Sequence, residues 1–152
     1  MRIRPFAPAD TETVVDIWTR CGLVRPWNDP RKDIARKAEV QPELFLVGEL
    51  AVAGAPRIVA TAMAGYDGHR GWVNYLAVDP ASQRQGLARE LMAEVERLLL
   101  ARGCPKVNLQ VREGNAAALG LYIELGYTMD ASVSLGKRLI VDGPGPGVTP
   151  AS

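Results

Sequence analysis

The residues whose types and spacing carry most chemistry are Gln83-Arg84-Gln85-Gly86-Leu87-Ala88. They read Gln-x-x-Gly-x-Ala, small where a backbone must come close to a ligand and polar around it. They follow Tyr75-Leu76-Ala77-Val78-Asp79-Pro80, a strand and a turn, and they open a long helix. The first turn of a helix has backbone N–H groups with no partner inside the helix, and it carries the positive end of the helix dipole. The chemistry this suits is anion binding, here for a phosphorylated cofactor. Downstream, Asn115 precedes a short apolar run and can cap it as a helix. Tyr122 lies at helical spacing from Leu119 and Leu125. That spacing suits a core aromatic, and a phenol is also a donor able to protonate a leaving group. His69 is the one histidine, which excludes any mechanism that needs two. Cys21 and Cys104 match no metal or redox spacing and are expected as free thiols.

The elements that must position these residues follow from periodicity. Arg2–Phe6 suits a first strand, and Asp10 can cap a helix from Thr11 to Cys21 with Val14, Val15, Ile17 and Trp18 on its apolar face. Asp29 followed by Pro30 predicts the start of a second, mostly polar helix reaching Val40. Leu44–Glu49, Arg57–Tyr66 and Gly71–Val78 read as an antiparallel meander joined by turns at Ala53–Pro56 and Asp67–Gly71. A helix over Gln85–Arg102 buries Leu87, Leu91, Val95, Leu98 and Leu99. It leads to a strand over Lys106–Val111. A long helix between two strands predicts a parallel pair joined by a right-handed crossover. After a helix over Ala116–Leu125, Tyr127–Ser134 and Lys137–Val141 are expected as a last hairpin.

Composition bounds the rest. The chain has 152 residues, 47% of them hydrophobic and 23% charged, enough for one domain with a real core. That domain is expected over residues 1–142, followed by a disordered Gly/Pro tail over 143–152. The net charge of +1, with no basic run, gives no footing for nucleic acid. No apolar run approaches the roughly 20 residues of a membrane span. Met1-Arg2-Ile3-Arg4-Pro5 has no signal-peptide core, so a cytoplasmic location is expected.

Three features taken in order resemble one family, the GNAT superfamily of acetyl-CoA-dependent N-acetyltransferases. They are the strand into Gln83-x-x-Gly86-x-Ala88, then Asn115-x-x-Ala118-Leu119-x-Leu121-Tyr122, then Leu125-Gly126-Tyr127. The chain is similar in particular to a bacterial branch related to ribosomal-protein N-terminal acetyltransferases. The resemblance implies an α/β fold of the α+β type, a mixed, mainly antiparallel sheet of six or seven strands flanked by about four helices. It implies an N-acetyltransferase that uses acetyl-CoA and no metal. The backbone of Arg84, Gln85, Gly86, Leu87, Ala88 and Arg89 would cradle the pyrophosphate, and the backbone of Leu76, Ala77 and Val78 would pair with pantetheine. Asn115 would contact the cofactor as well as cap its helix, and Tyr122 would protonate the departing CoA thiolate.

The acceptor side departs from the pattern. Relatives carry a glutamate as base at one of two places, and here these read Gln110 and Trp72-Val73-Asn74. Tyr66, Asp67 and His69 on one turn, and Trp27, Asn28 and Asp29 on the loop between the first two helices, are the acceptor candidates. Each set also has a purely structural reading, as a hairpin turn and as a packed loop with a helix cap. The resemblance implies an amine acceptor, either a small molecule, a lysine or a protein N-terminus, and no nucleic acid or membrane is expected. The last hairpin leaves room for a homodimer. A non-catalytic acyl-CoA-binding or sensor domain is the alternative, favoured by Gln110. A nucleotide-binding protein is a weaker one, lacking Gly-x-Gly-x-x-Gly and a Walker lysine.

Overall fold

Among the residues that the computed structural model describes, 1–142, five strands form one mixed sheet in the order β1-β2-β3-β4-β5. They are β1 (Arg2–Pro5), β2 (Phe45–Val52), β3 (Ala55–Tyr66), β4 (Gly71–Val78) and β5 (Val107–Leu109). The first four pair antiparallel, and β4 and β5 pair parallel across the predicted helical crossover. The four helices are α1 (Thr11–Arg20), α2 (Pro30–Ala38), α3 (Leu87–Leu100) and α4 (Ala116–Glu124). This is the α+β class expected, with five strands in place of six or seven.

Alternation along the strands sorts the core into two clusters, one on each face of the sheet. Leu44, Leu46, Ala60, Ala62 and Ala64 join Leu91, Met92, Val95 and Leu99 of α3 and Tyr122 of α4. The alanine row on β3 leaves room for the bulkier side chains of α3, and burying each of those contributes about 1.5–3 kcal/mol. Phe45, Val47 and Met63 join Val14, Val15, Ile17 and Trp18 of α1 and Ile34 of α2. Phe45 stacks on Phe6 with ring centres 4.4 Å apart. Cys21 and Cys104 are free, and Cys104 is buried with its Sγ 3.3 Å from the Lys106 carbonyl.

The β2–β3 turn is tighter than predicted. Ala53 and Gly54, with φ of 50° and 80°, form a two-residue turn between strands that run further than their apolar residues suggested. Asp10 does not cap α1 with its side chain. Its carboxylate instead receives Arg4, at 2.7 and 3.0 Å, and the Ala7 amide at 2.8 Å, closing a 3-10 turn ahead of the helix. Asp29 does cap α2, accepting from the Arg31 amide at 2.9 Å. The last hairpin is not formed. Residues 128–142 hold no regular strand, and Met129, Val133, Leu135, Leu139 and Val141 are exposed. Alternation gives strand propensity, but a strand also needs a ladder partner. This segment is held by side chains instead: Lys106 to Asp130, Gln110 to Ser134, Arg138 to Asn28 and Arg36 to Asp142. The predicted tail from Gly143 lies outside the described residues.

Candidate active site

The site is built around β4. Its ladder with β5 ends at Val73 opposite Leu109, so no strand of the described chain pairs with the outer edge of Asn74–Val78. On its other side the register with β3 slips. Met63 faces Asn74 while Thr61 faces Ala77, so Ala62 stands opposite both Tyr75 and Leu76. This is a β-bulge, and Tyr75 pays for it with a φ of 52°. The bulge exchanges the faces of the strand. Val73 belongs to the α3 cluster, Tyr75 and Ala77 pack in the α1 cluster, and Leu76 and Val78 return to the α3 side.

Beyond Val78 the chain is pinned before it enters α3. Asp79 accepts from Nη1 and Nη2 of Arg20, at 2.8 and 3.1 Å, and from the Ala81 amide at 3.0 Å. The Arg20 guanidinium holds the Asp79 carboxyl below the usual carboxylate range. Gln83 Nε2 donates to the Val78 carbonyl at 3.0 Å. Arg84 and Gly86 then take left-handed φ values of 63° and 78°. The helix begins at Leu87, two residues later than predicted, and no side chain caps it. Its first intrahelical bond is Glu90 N to Gly86 O at 3.1 Å, so the amides of Leu87, Ala88 and Arg89 precede the helical ladder. A free strand edge therefore runs into an uncapped helix start through a turn with two left-handed residues.

Asn115 caps α4, its Oδ1 accepting from the Ala118 amide at 3.1 Å. Tyr122 is buried, packs edge-on against Tyr127 at 5.6 Å, and lies in the same cluster as the Leu76 and Val78 side chains. Burial pushes the Tyr122 phenol up to about 12, and among the described residues no hydrogen bond holds its hydroxyl. Asn115 and Tyr122 also line a cavity of about 930 Å³ bounded by β5, α4 and the segment around Met129–Ser134. β4 contributes Trp72 to that lining, and none of it comes from Leu76–Ala88.

The acceptor candidates fall in two places. Asp67 is occupied by its own turn, with Oδ1 accepting from His69 N (2.8 Å) and Arg70 N (2.7 Å) and Oδ2 from Trp72 Nε1 (3.2 Å). Tyr66 and His69 lie on the same turn. It stands four residues up β4 from the bulge, roughly 13 Å at strand rise. Trp27, 54% exposed, Asn28 and Asp29 lie on the other face of the sheet at the start of α2. Gln110 Nε2 donates to Ser134 and brings no carboxylate. Two functional-looking features escaped the sequence reading: the Arg20–Asp79 pair and a contact of 2.6 Å between Tyr75 Oη and Asp33 Oδ2. Both span more than forty residues, and the local signals were only Asp33 in the first turn of α2 and Asp79 as the cap of the 3-10 turn after β4.

A family model described as acetyltransferase (GNAT) family matches residues 11–127. The chain belongs to the GNAT acetyltransferase family. An acetyltransferase of Yersinia enterocolitica is 51% identical to this GNAT chain over 142 residues, covering 93% of it and 98% of the relative. The ribosomal-protein-S18-alanine N-acetyltransferase from Escherichia coli is 30% identical, covers 82% of this chain and 76% of its own, and superposes with a TM-score of 0.64. The NatB acetyltransferase complex, solved with CoA and MES bound, shares the fold at a TM-score of 0.72 and 21% identity, over 84% of each chain. This GNAT chain is thus a transferase by family. None of its described helices is long and apolar enough to cross a membrane.

Proposed function

We propose that this GNAT domain, occupying residues 1–142, transfers an acetyl group from acetyl-CoA to an amine by direct attack. The observation that carries the reading is the free edge of β4 over Asn74–Val78, leading through the Asp79–Gly86 turn into the uncapped start of α3. Pantetheine amides can pair with such an edge as a strand would. The pyrophosphate then meets the backbone from Arg84 to Arg89, where unpaired N–H groups and the helix dipole favour negative charge. The bulge turns a β4 backbone amide away from the β3 ladder, available to the oxyanion that forms on the thioester carbonyl. Tyr122, protonated at any pH near neutrality, supplies a proton to the CoA sulfur. In this reading the attack passes through no acyl-enzyme: the Cys21 thiol is turned to the Val78 carbonyl at 3.2 Å and Cys104 is buried. Asn115 adds a cofactor contact to its capping role.

The acceptor is an amine of a small molecule, a lysine or a protein N-terminus. The last class is supported by the likeness to the S18-alanine N-acetyltransferase. Asn28 donates to the same Asp33 oxygen that accepts from Tyr75 of the bulge, which favours the Trp27, Asn28 and Asp29 loop over the Tyr66, Asp67 and His69 turn for acceptor contact. The exposed apolar run from Met129 to Val141 is the surface through which a homodimer would form. The protein works in the cytoplasm, without a metal.

Calorimetry with acetyl-CoA, CoA and ATP, followed by thiol release with a panel of amines and N-terminal peptides, tests the reading. Tight acetyl-CoA binding with amine-dependent thiol release is expected. Preference for ATP would contradict it. The missing carboxylate at Gln110 favours a second reading, an acyl-CoA-binding domain without turnover. Binding with no thiol release from any amine would establish that one.

A further inference from the structure

We propose that Tyr75 and Asp33 take up the proton that the acceptor nitrogen releases as it attacks the thioester, an inference that rests on the transfer reaction above. Tyr75 is the bulge residue of β4, at the point where the strand edge becomes free. Its ring lies flat on Trp18, with centres 3.9 Å apart and planes within 16°. Trp18 Nε1 donates to Thr61 Oγ1 at 2.8 Å, and Thr61 Oγ1 donates to the Tyr75 carbonyl at 3.0 Å. Ring and backbone of Tyr75 are therefore fixed by one closed set of contacts. The phenol donates to Asp33 Oδ2 at 2.6 Å. Asp33 also accepts from Arg36 Nη1 at 2.9 Å and Asn28 Nδ2 at 3.3 Å, and its side chain is 20% exposed. Asp33 is thus a carboxylate bonded to the bulge itself and open to water. The positions where relatives place a base, Gln110 and Trp72–Asn74, have none, and Asp67 is engaged within its own turn.

The step balances without any further reagent. Attack forms the C–N bond, leaves the carbonyl oxygen negative and the nitrogen positive. An N–H on that cationic nitrogen is far more acidic than one on a free ammonium. Its proton passes to Tyr75 Oη while the proton already on Tyr75 passes to Asp33 Oδ2, which gives it to water. The C–S bond then breaks with its electron pair on sulfur, and the thiolate takes the Tyr122 proton, restored from solvent. Burial and the Asp33 carboxylate push the Tyr75 phenol well above the ordinary phenol range, so Tyr75 relays a proton without ionising.

The test compares Asp33→Asn and Tyr75→Phe with the wild type in thiol release, acetyl-CoA calorimetry and the solvent deuterium isotope effect on kcat. Asparagine still accepts the phenol hydrogen bond, and phenylalanine still stacks on Trp18, so both folds are retained. Each variant is expected to lose about 10²-fold or more in kcat, with the KM and Kd for acetyl-CoA unchanged and a larger isotope effect. The double variant is expected to be no worse than either single, because the two groups act as one relay. If Asp33→Asn does not fold, Tyr75→Phe decides alone. A competent wild type whose folded variants keep kcat within about twofold would overturn the relay alone. A wild type that frees no thiol with any amine would overturn the transferase reading and the relay with it.

Discussion

At Tyr122 burial alone raises the phenol to about 12, so the group holds its proton wherever an amine acceptor is reactive. Removing the hydroxyl in Tyr122→Phe should lower kcat by about 10²-fold with acetyl-CoA affinity unchanged, as read by paired kinetics and calorimetry. A variant with unaltered kcat at every pH would make Tyr122 a core residue only. Gly86 is a residue-scale constraint of another kind. Nothing lies within 4 Å of an added Cβ, so substitution is not blocked by packing. The cost lies in the φ of 78°, where a non-glycine residue is strained by about 1–2 kcal/mol. Gly86→Val should therefore lower the melting temperature and weaken acetyl-CoA binding by about tenfold, because the turn before α3 relaxes away from its present shape. Tyr75 shows what the sequence did not disclose at this scale. A left-handed tyrosine within an apolar strand has no compositional sign, and its partner Asp33 read only as one charge among several on a surface helix.

At the scale of elements, the start of α3 depends on a different helix. Arg20, the last residue of α1, holds Asp79 by two hydrogen bonds, and Asp79 in turn fixes the turn that leads to Gly86. Asp79→Ala should cost about 1.5–3 kcal/mol in denaturant unfolding and also weaken acetyl-CoA binding; a stability loss without a binding loss would separate the pair from the cofactor loop. The meander of β2, β3 and β4, the parallel pair of β4 and β5 and the caps at Asp29 and Asn115 were legible, because periodicity and cap residues are local signals. The bulge, the Arg20–Asp79 pair and the early end of β5 were not, because each depends on what lies across the sheet. The expected last hairpin failed for the same reason. Its alternating residues described a strand well, and only the fold decides whether an edge receives it.

Across the whole molecule, three phenols share one trend. Tyr75, Tyr122 and Tyr127 are all raised, by burial first and, for Tyr75 and Tyr127, by the carboxylates of Asp33 and Glu96. A raised folded value means that the folded state keeps protons the unfolded chain would lose. Stability from these groups is complete below the ordinary phenol value near 10 and is lost as pH rises through the folded values, Tyr122 first, near 12. Ionisation of these three tyrosines and loss of tertiary signal should therefore rise together in an alkaline titration that resolves the individual rings. Followed residue by residue, ionisation of Tyr75, Tyr122 or Tyr127 at the ordinary phenol pH in a still-folded protein would contradict the packing of its cluster. That packing sets helices on both faces of the sheet, and β4 carries a strand edge that no described strand pairs, leading through a turn to the start of α3. The central claim is that acetyl moves there from CoA to nitrogen. Mass spectrometry with acetyl-labelled acetyl-CoA and a panel of amines and N-terminal peptides tests it most directly. The expected result is label in an amide product, one for each CoA thiol freed. Bound acetyl-CoA, with no label on any amine and no thiol released, would contradict it.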